Sequence, residues 1–228
     1  MKRRTFLQSA ATAAASIAAA KAQLHTPQTN PLPNNPRTEI PLGQEFLTVP
    51  NPDVVRLLPR VEHPGVLRGE MLYRKLGTTG VDVSVIGMGG YHLGKPGMTQ
   101  DAVNRMVHQA IDRGITFMDN CWDYNNGRSE EVLGMALAQG GYRQKAFLMT
   151  KLDGRTRQAA AQQLDQSLQR LKTDRIDLLQ HHEIIRFEDP DRVFANDGAM
   201  EAVLDAKKAG KIRFIGFTGH KDPHVHLY

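Results

Sequence analysis

The chain of 228 residues is 40% hydrophobic and 23% charged, which is enough apolar material for one sizeable core with an appended segment. Its net charge of +5 comes from scattered Lys and Arg residues, so the composition gives little support for nucleic-acid binding, and we expect none. The single cysteine, Cys121, excludes a disulfide within the chain and a four-cysteine metal or iron–sulfur site.

Residues 1–22, MKRRTFLQSAATAAASIAAAKA, have the parts of an export signal. Arg3 and Arg4 precede a small-residue apolar stretch, which ends in an A-x-A-like triplet at 20–22. This pattern resembles a twin-arginine signal and predicts a periplasmic or exported location, with the twin-arginine export machinery as a partner. The alternative is an Ala-rich amphipathic helix with a basic start. The stretch is too short for a bilayer, so we expect no stable membrane span.

Residues 23–70 contain most of the 12 prolines and show neither a helical nor a strand period. Such a segment is typical of an extended or disordered linker. From Met71 onward the pattern becomes regular, and we predict one domain over 71–228.

In this domain, β-rich runs alternate with amphipathic helical patterns. The five predicted strands are VDVSVIGMGG, ITFMDN, KAFLMTK, RIDLLQHHE and IRFIGFTGH. The four predicted helices are TQDAVNRMVHQAIDRG, SEEVLGMALAQGG, TRQAAAQQLDQSLQRLK and DGAMEAVLDAKKAGK. Thr99 and Ser129 are the predicted N-caps of the first two helices.

Strands and helices that alternate through short connections indicate a parallel sheet covered by helices. An open doubly wound sheet and a closed (β/α)8 barrel both satisfy this pattern. The glycines of GMGGYHLG are separated from the first helix, which disfavours the dinucleotide fingerprint of the open fold. We favour the barrel because polar residues stand at the carboxyl ends of several predicted strands.

Four of these strand-end residues suit proton transfer to an alkoxide: Asp119, Tyr124, Lys151 and His182. A free tyrosine has a pKa of about 10, and a neighbouring ammonium favours its phenolate and brings it closer to use as a general acid. A carboxylate holds the ammonium in place, while an imidazole can orient a carbonyl oxygen.

Over residues 71 to 220 the sequence resembles an aldo-keto reductase. The resemblance is carried by YRKLGTTGVDVSVIGMGG, GITFMDNCWDYNNGRSEEVLGMAL, FLMTKL, RIDLLQHHE and KAGKIRFIGFTGH. It implies a (β/α)8 TIM barrel, with about the first five β/α units present in this chain. It also implies reduction of an aldehyde or ketone by hydride transfer from NADPH, with NADH as the second candidate cofactor.

The family pattern places its catalytic tetrad at Asp119, Tyr124, Lys151 and His182. Tyr124 is then the general acid, Lys151 lowers its pKa, Asp119 pairs with Lys151, and His182 orients the carbonyl. The resemblance also assigns cofactor contacts to the rim residues Gly89, Gly90, Asp119, Thr218 and Gly219. The family usually has Ser-Asn after the fifth strand, where this chain has Thr218-Gly219.

Other rim residues have competing interpretations. His92 and Trp122 either line the substrate pocket or only pack. His181 lies on the opposite strand face from His182, so we expect it to be packed or hydrogen-bonded. Cys121 is next to the site without a predicted base, and the spacing of His220, His224 and His226 does not favour a metal site, so none is expected.

Two function classes follow: an NADPH-dependent carbonyl reductase, or a non-catalytic NADPH-sensing or regulatory binding protein on the same scaffold. The tetrad favours the reductase. Five strands cannot close an eight-stranded barrel. We therefore expect this sequence to be a fragment of a longer enzyme, and we expect the 228-residue chain alone not to bind NADPH tightly.

Overall fold

The computed structural model describes residues 65–228. The first described strands form an antiparallel sheet in the order β1 Val66–Arg68, β2 Met71–Lys75 and β3 Asp82–Ser84. Strand β1 lies within the range predicted as linker, so regular structure begins ahead of the predicted boundary at Met71. The predicted export signal and the linker up to residue 64 lie outside the described residues.

The main sheet has five parallel strands whose spatial order equals their chain order. They are β4 Gly87–Gly89, β5 Phe117–Asp119, β6 Phe147–Leu152, β7 Ile176–His181 and β8 Ile212–Phe217. This confirms the prediction of a parallel sheet with helical crossovers. All five carboxyl ends meet at one edge, which is the edge where the candidate site lies.

Helices connect the strands of the main sheet. They are α1 Gln100–Asp112, α2 Arg128–Leu137, α3 Tyr142–Lys145, α4 Arg157–Arg170, α5 Glu188–Phe194 and α6 Ala199–Lys208. A further helix, α7 Pro223–Leu227, follows β8. The four predicted helices correspond to α1, α2, α4 and α6. The short α3, α5 and α7 were not predicted, because one or two turns show little periodicity. Among the described helices, none combines the length and apolar character that a bilayer crossing requires.

Local sequence explains where the long helices begin and what they bury. Thr99 and Thr156 cap α1 and α4, and their hydroxyl oxygens accept hydrogen bonds from backbone N–H groups three residues later. Helix α1 then buries Val103, Val107 and Ile111, which recur at four-residue steps on one face. These helices cover the face of the sheet that carries the larger apolar core.

Two local predictions were wrong. The run 81–90 is not one strand, because the chain leaves the antiparallel sheet after Ser84 and enters the parallel sheet at Gly87. The Ser84 hydroxyl accepts hydrogen bonds from the backbone N–H groups of Thr116 and Phe117, so a side chain serves the backbone at the junction. Ser129 is not the N-cap of α2, since Gly127 occupies that position with a φ of 89°.

The two faces of strands β6 and β7 separate the candidate site from the helical core. Phe147, Met149 and Leu178 pack with Val83 on one face, and alternation places Lys151 on that same face. Leu179 packs in the helix-side core, so His181 shares the helix-covered face.

His181 is buried, and neither of its ring nitrogens has a hydrogen-bond partner within the described residues. The prediction that it is packed is confirmed, whereas a hydrogen bond is not found. Burial, together with the positive charge of Arg155, lowers the pKa of His181 from 6.5 to about 4. The folded state therefore favours the neutral imidazole.

This histidine predicts an acid-sensitive stability. A folded-state pKa below the unfolded value contributes stability above pH 6.5, and that stability is lost as the pH falls from 6.5 towards 4. Replacing His181 with Leu removes this loss. From pH 7 to pH 5, the free energy of unfolding of the wild type should therefore fall by about 2 kcal/mol more than that of the variant. Chemical denaturation of both proteins at the two pH values measures the change.

The control is His220→Leu, which alters an exposed imidazole in the loop after β8. We expect that variant to follow the wild-type pH dependence. Parallel curves for His181→Leu and wild type would show that the buried imidazole does not contribute to acid sensitivity.

Candidate active site

Lys151 and Asp119 form an ion pair where β6 and β5 end. The Lys151 ammonium donates to Asp119 Oδ1 at 2.5 Å and to the backbone carbonyl of Asn120 at 2.7 Å. The Lys151 side chain is 6% exposed, whereas that of Asp119 is 40% exposed. The ammonium is therefore held below the rim, and its partner carboxylate faces the opening.

Tyr124 completes this chain of contacts. Its hydroxyl oxygen accepts a hydrogen bond from Lys151 Nζ at 3.3 Å, and the ammonium lies 4.7 Å from the centre of the phenol ring. The next three residues, Asn125, Asn126 and Gly127, all have positive φ, the left-handed conformation that Asn and Gly adopt at least cost. This turn brings the chain back into α2 while Tyr124 stays beside Lys151.

The electrostatics of the pair only partly match the sequence prediction. Burial of the phenol raises the pKa of Tyr124, and the Lys151 ammonium opposes this without reversing it. Lys151 therefore lowers the pKa of Tyr124 as predicted, but the net shift is upward because desolvation outweighs the nearby charge. Burial lowers the pKa of Lys151, but the hydrogen bond and charge of Asp119 outweigh burial and raise it. Tyr124 stays protonated at neutral pH, and Lys151 stays charged.

His182 follows directly after β7, one residue beyond the strand's last residue. Its Nδ1 lies 2.8 Å from Asp153 Oδ1 and 3.3 Å from Cys121 Sγ. The imidazole is buried, and its ring centre lies 6.1 Å from that of Tyr124 at an angle of 79°. The structure therefore places His182 beside Tyr124, as the order of strand ends predicted.

The amino-terminal glycines lie beside Asp119. Gly89 pairs with Asp119 in the register of β4 and β5, and the Gly90 N–H donates to the Asp119 carbonyl at 2.6 Å. A Cβ atom on Gly90 would lie 2.7 Å from the Asn120 side chain, so this close approach requires glycine. A Cβ on Gly89 would meet no atom within 4 Å, which leaves open space next to the carboxylate.

Thr218 and Gly219 follow β8 and are engaged within the protein. The Thr218 hydroxyl accepts a hydrogen bond from the Glu183 N–H at 3.0 Å. Gly219 packs against Ile184 and the His226 ring of α7, where a Cβ would collide with both. Their assignment as cofactor contacts stays a prediction.

The two predicted substrate residues have different surroundings. Trp122 donates its indole N–H to Gln166 of α4 at 2.7 Å, and the Arg170 guanidinium lies 5.6 Å from the ring centre. His92 is exposed and meets the Tyr91 ring edge-to-face at 5.4 Å. Trp122 is thus tied to α4, and its predicted substrate role, like that of His92, stays a prediction.

Sequence inspection missed Asp153, which lies two residues beyond Lys151 and touches His182. The available signal was an acid directly after a predicted strand, at the edge where the other strand ends meet. Cys121 was noted without a partner, and the structure places its buried thiol beside His182. Burial raises the pKa of this thiol far above its ordinary value, so it is protonated and not a nucleophile.

A carboxylate, a buried ammonium and a phenol thus lie in contact at the carboxyl edge of a parallel α/β sheet, the edge where α/β barrels carry their functional residues. The sequence profile described as "Aldo/keto reductase family" matches residues 85–225. The chain belongs to the aldo/keto reductase family, and its five parallel strands are part of a (β/α)8 TIM barrel.

Individual proteins support this assignment. The chain is 33% identical over 161 residues to aldo-keto reductase YhdN of Bacillus subtilis, which covers 65% of this chain and 47% of that protein. It is also 33% identical over 156 residues to L-galactose dehydrogenase of Arabidopsis thaliana, covering 64% and 48%. The holo form of aldo-keto reductase AKR11C1 from Bacillus halodurans superposes with a TM-score of 0.56 at 30% identity, covering 65% and 50%. The chain spans about half the length of these relatives.

Proposed function

We propose that this protein acts in the reduction of an aldehyde or ketone to an alcohol, with NADPH as hydride donor and NADH as the second candidate. The observation that carries the proposal is the continuous contact from Asp119 through Lys151 to the hydroxyl of Tyr124. A proton donor backed by a buried cation is what a developing alkoxide requires.

The bound nicotinamide would supply the hydride that reaches the carbonyl carbon. Tyr124 then transfers its phenolic proton to the carbonyl oxygen, and the carbon–oxygen double bond becomes a C–OH group. Lys151 stabilises the resulting tyrosinate, and Asp119 keeps that ammonium charged and in position. His182 orients the carbonyl oxygen through a ring hydrogen bond, and solvent later returns a proton to Tyr124.

Open space beside Gly89 supports the placement of the nicotinamide there, next to Asp119. Gly90 supports it by letting the chain approach Asn120 closely at the same rim. Turnover is proposed for the whole protein, because the chain spans about half the length of the relatives that it matches.

The experiment uses the native-length protein and follows oxidation of NADPH and NADH with a panel of aldehydes and ketones. Turnover with at least one carbonyl compound is the expected result. Binding of NADPH without turnover on any carbonyl would overturn the reductase proposal and favour a sensing or regulatory binding protein.

We also propose that the protein is exported by the twin-arginine machinery to the periplasm, a proposal supported by Arg3-Arg4 and the apolar stretch that follows. Replacing both arginines with lysine should leave the protein in the cytoplasm. Fractionation with immunodetection measures this. Equal distribution of wild type and variant between cytoplasm and periplasm would contradict the proposal.

A further inference from the structure

Four side chains of different chemistry converge beside the tetrad and share only His182 with it. They are a thiol, two carboxylates and an imidazole, from Cys121, Asp123, Asp153 and His182, and we call them the thiol–carboxylate cluster. Each offers one potential ligand atom, and all four atoms lie within 4.8 Å of one another. Within residues 65–228 this is the one group of His, Cys, Asp and Glu side chains close enough to share an ion.

The separations within the cluster are close to those around a four-coordinate ion. Tetrahedral zinc, with bonds of about 2.0–2.3 Å, keeps its ligand atoms roughly 3.3–3.8 Å apart. His182 Nδ1 lies 3.3 Å from Cys121 Sγ, 2.8 Å from Asp153 Oδ1 and 4.0 Å from Asp123 Oδ1. Displacements of under about 1 Å therefore separate the present arrangement from coordination geometry.

The ligand positions are held by the backbone of neighbouring strand ends. Arg155 donates to the carbonyl oxygens of Asp153 and His182, at 3.0 and 2.7 Å, and so fixes one residue after β6 to one after β7. The Asp153 N–H donates to Gln163 at 3.0 Å, and the Cys121 N–H donates to Asn120 Oδ1 at 2.9 Å. Such outer contacts orient ligands before an ion arrives.

A second observation points to a missing positive partner. The Oδ2 atom of Asp153 is inaccessible to solvent and has no hydrogen-bond partner among the described residues. A buried carboxylate oxygen without a donor is costly, and a cation would compensate it. Burial is graded, since the His182 side chain is 8% exposed while those of Asp153 and Asp123 are 35% and 47% exposed. The two carboxylates therefore provide an entry from solvent.

We propose that the thiol–carboxylate cluster binds one divalent ion of the zinc class. A thiolate and an imidazole nitrogen select a borderline-soft ion over Mg²⁺ or Ca²⁺, which prefer all-oxygen sites. The Cys121 thiol loses its proton to solvent as the sulfur–metal bond forms, and His182 binds as a neutral ring through Nδ1. One thiolate and two carboxylates leave the loaded site with a net charge of −1, and the Lys151 ammonium is close enough to favour the negative charge of the Cys121 thiolate.

The cluster does not involve His220, His224 or His226, whose spacing did not favour a metal site. His224 pairs with Asp222 at 2.8 Å, and the His226 ring lies 3.1 Å from the Ile184 carbonyl. The ligands of the cluster come instead from three strand ends that are far apart in the chain, so their spacing carries no metal motif.

The test titrates the 228-residue protein with Co²⁺, whose visible spectrum reports coordination, and then displaces it with Zn²⁺. The expected result is one equivalent of bound Co²⁺ with intense tetrahedral d–d bands and a thiolate-to-cobalt charge-transfer band. Cys121→Ser should remove the charge-transfer band, and Asp153→Asn should weaken binding by ~10-fold or more. His224→Ala, which alters the exposed His–Asp pair, should leave the spectrum and affinity unchanged.

Circular dichroism of each variant checks that it is folded. If Cys121→Ser does not fold, Asp153→Asn serves as the test variant in its place. Weak octahedral Co²⁺ bands, or a loss of bound ion in His224→Ala equal to that in Asp153→Asn, would overturn the proposal. The readout is a spectrum of bound metal, so its outcome is independent of whether the protein reduces carbonyl compounds.

Discussion

Replacing Tyr124 with Phe is expected to lower turnover of a carbonyl substrate by ~10²–10⁴-fold, because the variant has no proton to give the alkoxide. The ring and its contacts with Tyr91 and His182 can remain, since those contacts are edge-to-face and need no hydroxyl. Steady-state kinetics of the native-length protein measure the loss. It should fall mainly on kcat, because the proton moves only in the transition state.

Tyr142→Phe is the matched control for this prediction. The Tyr142 hydroxyl donates to Asp112 at 2.9 Å on the protein surface. The variant therefore loses a phenolic oxygen, as Tyr124→Phe does, but far from the strand-end rim. That variant should keep wild-type turnover. Undiminished turnover in Tyr124→Phe, with normal folding, would contradict the assignment of Tyr124 as general acid.

Lys151 should be coupled to Tyr124 in the same assay. Lys151→Met removes the charge that stabilises the tyrosinate and leaves Asp119 without its partner. If the two residues act as one unit, the double variant should lose little more activity than either single variant. Losses that multiply would indicate that Lys151 acts on the reaction independently of Tyr124.

The proximity of the proposed tetrad residues could be predicted from sequence, because it follows largely from strand order. Asp119, Lys151 and His182 each stand at the end of a successive β-rich run, and parallel strands bring those ends to one edge. The same reasoning could not give the direction of the Tyr124 pKa. A nearby ammonium can be inferred from position, but the burial that outweighs it depends on how the loop after β5 packs.

The thiol–carboxylate cluster was missed for a similar reason. Cys121 and Asp123 approach His182 only through the conformation of the loop after β5, which carries no period. Likewise, the break between β3 and β4 depends on the Ser84 hydroxyl, and a β-rich run cannot reveal where a chain changes sheets. The strand period of two residues and the helix period of 3.6 residues therefore predicted the sheet and its covering helices. Single side-chain contacts determined where the chain changes sheets and how the site's charges interact.

The largest expected effect on stability comes from Arg170, at the end of α4. Glu130 is fully buried, its carboxylate accepts from the Thr150 hydroxyl at 2.6 Å, and Arg170 lies 3.4 Å from its other oxygen. Arg170 also donates to the Trp122 carbonyl at 2.9 Å, so it braces the loop that carries Tyr124. Arg170→Met should cost ~3–5 kcal/mol at neutral pH, because a buried carboxylate loses its cation.

Arg157→Met is the control from the same helix. Arg157 is half exposed and pairs with Glu201 and Asp205 at the surface, so its loss should cost under ~1 kcal/mol. Chemical denaturation compares the two variants. Equal losses would show that Glu130 does not depend on Arg170.

The pH dependence gives the sharpest form of this prediction. Burial raises the pKa of Glu130 in the folded state, against the opposing effects of Thr150 and Arg170. A carboxyl with a raised folded pKa favours folding below its unfolded value of 4.5, and this contribution is lost as the pH rises through the folded pKa. Removing Arg170 raises that pKa further, so the deficit of Arg170→Met should shrink as the pH falls towards 4.5. The double variant Glu130→Gln/Arg170→Met should be more stable at neutral pH than Arg170→Met alone, because no charge is then left buried. A double variant that is no more stable than Arg170→Met would contradict this electrostatic origin.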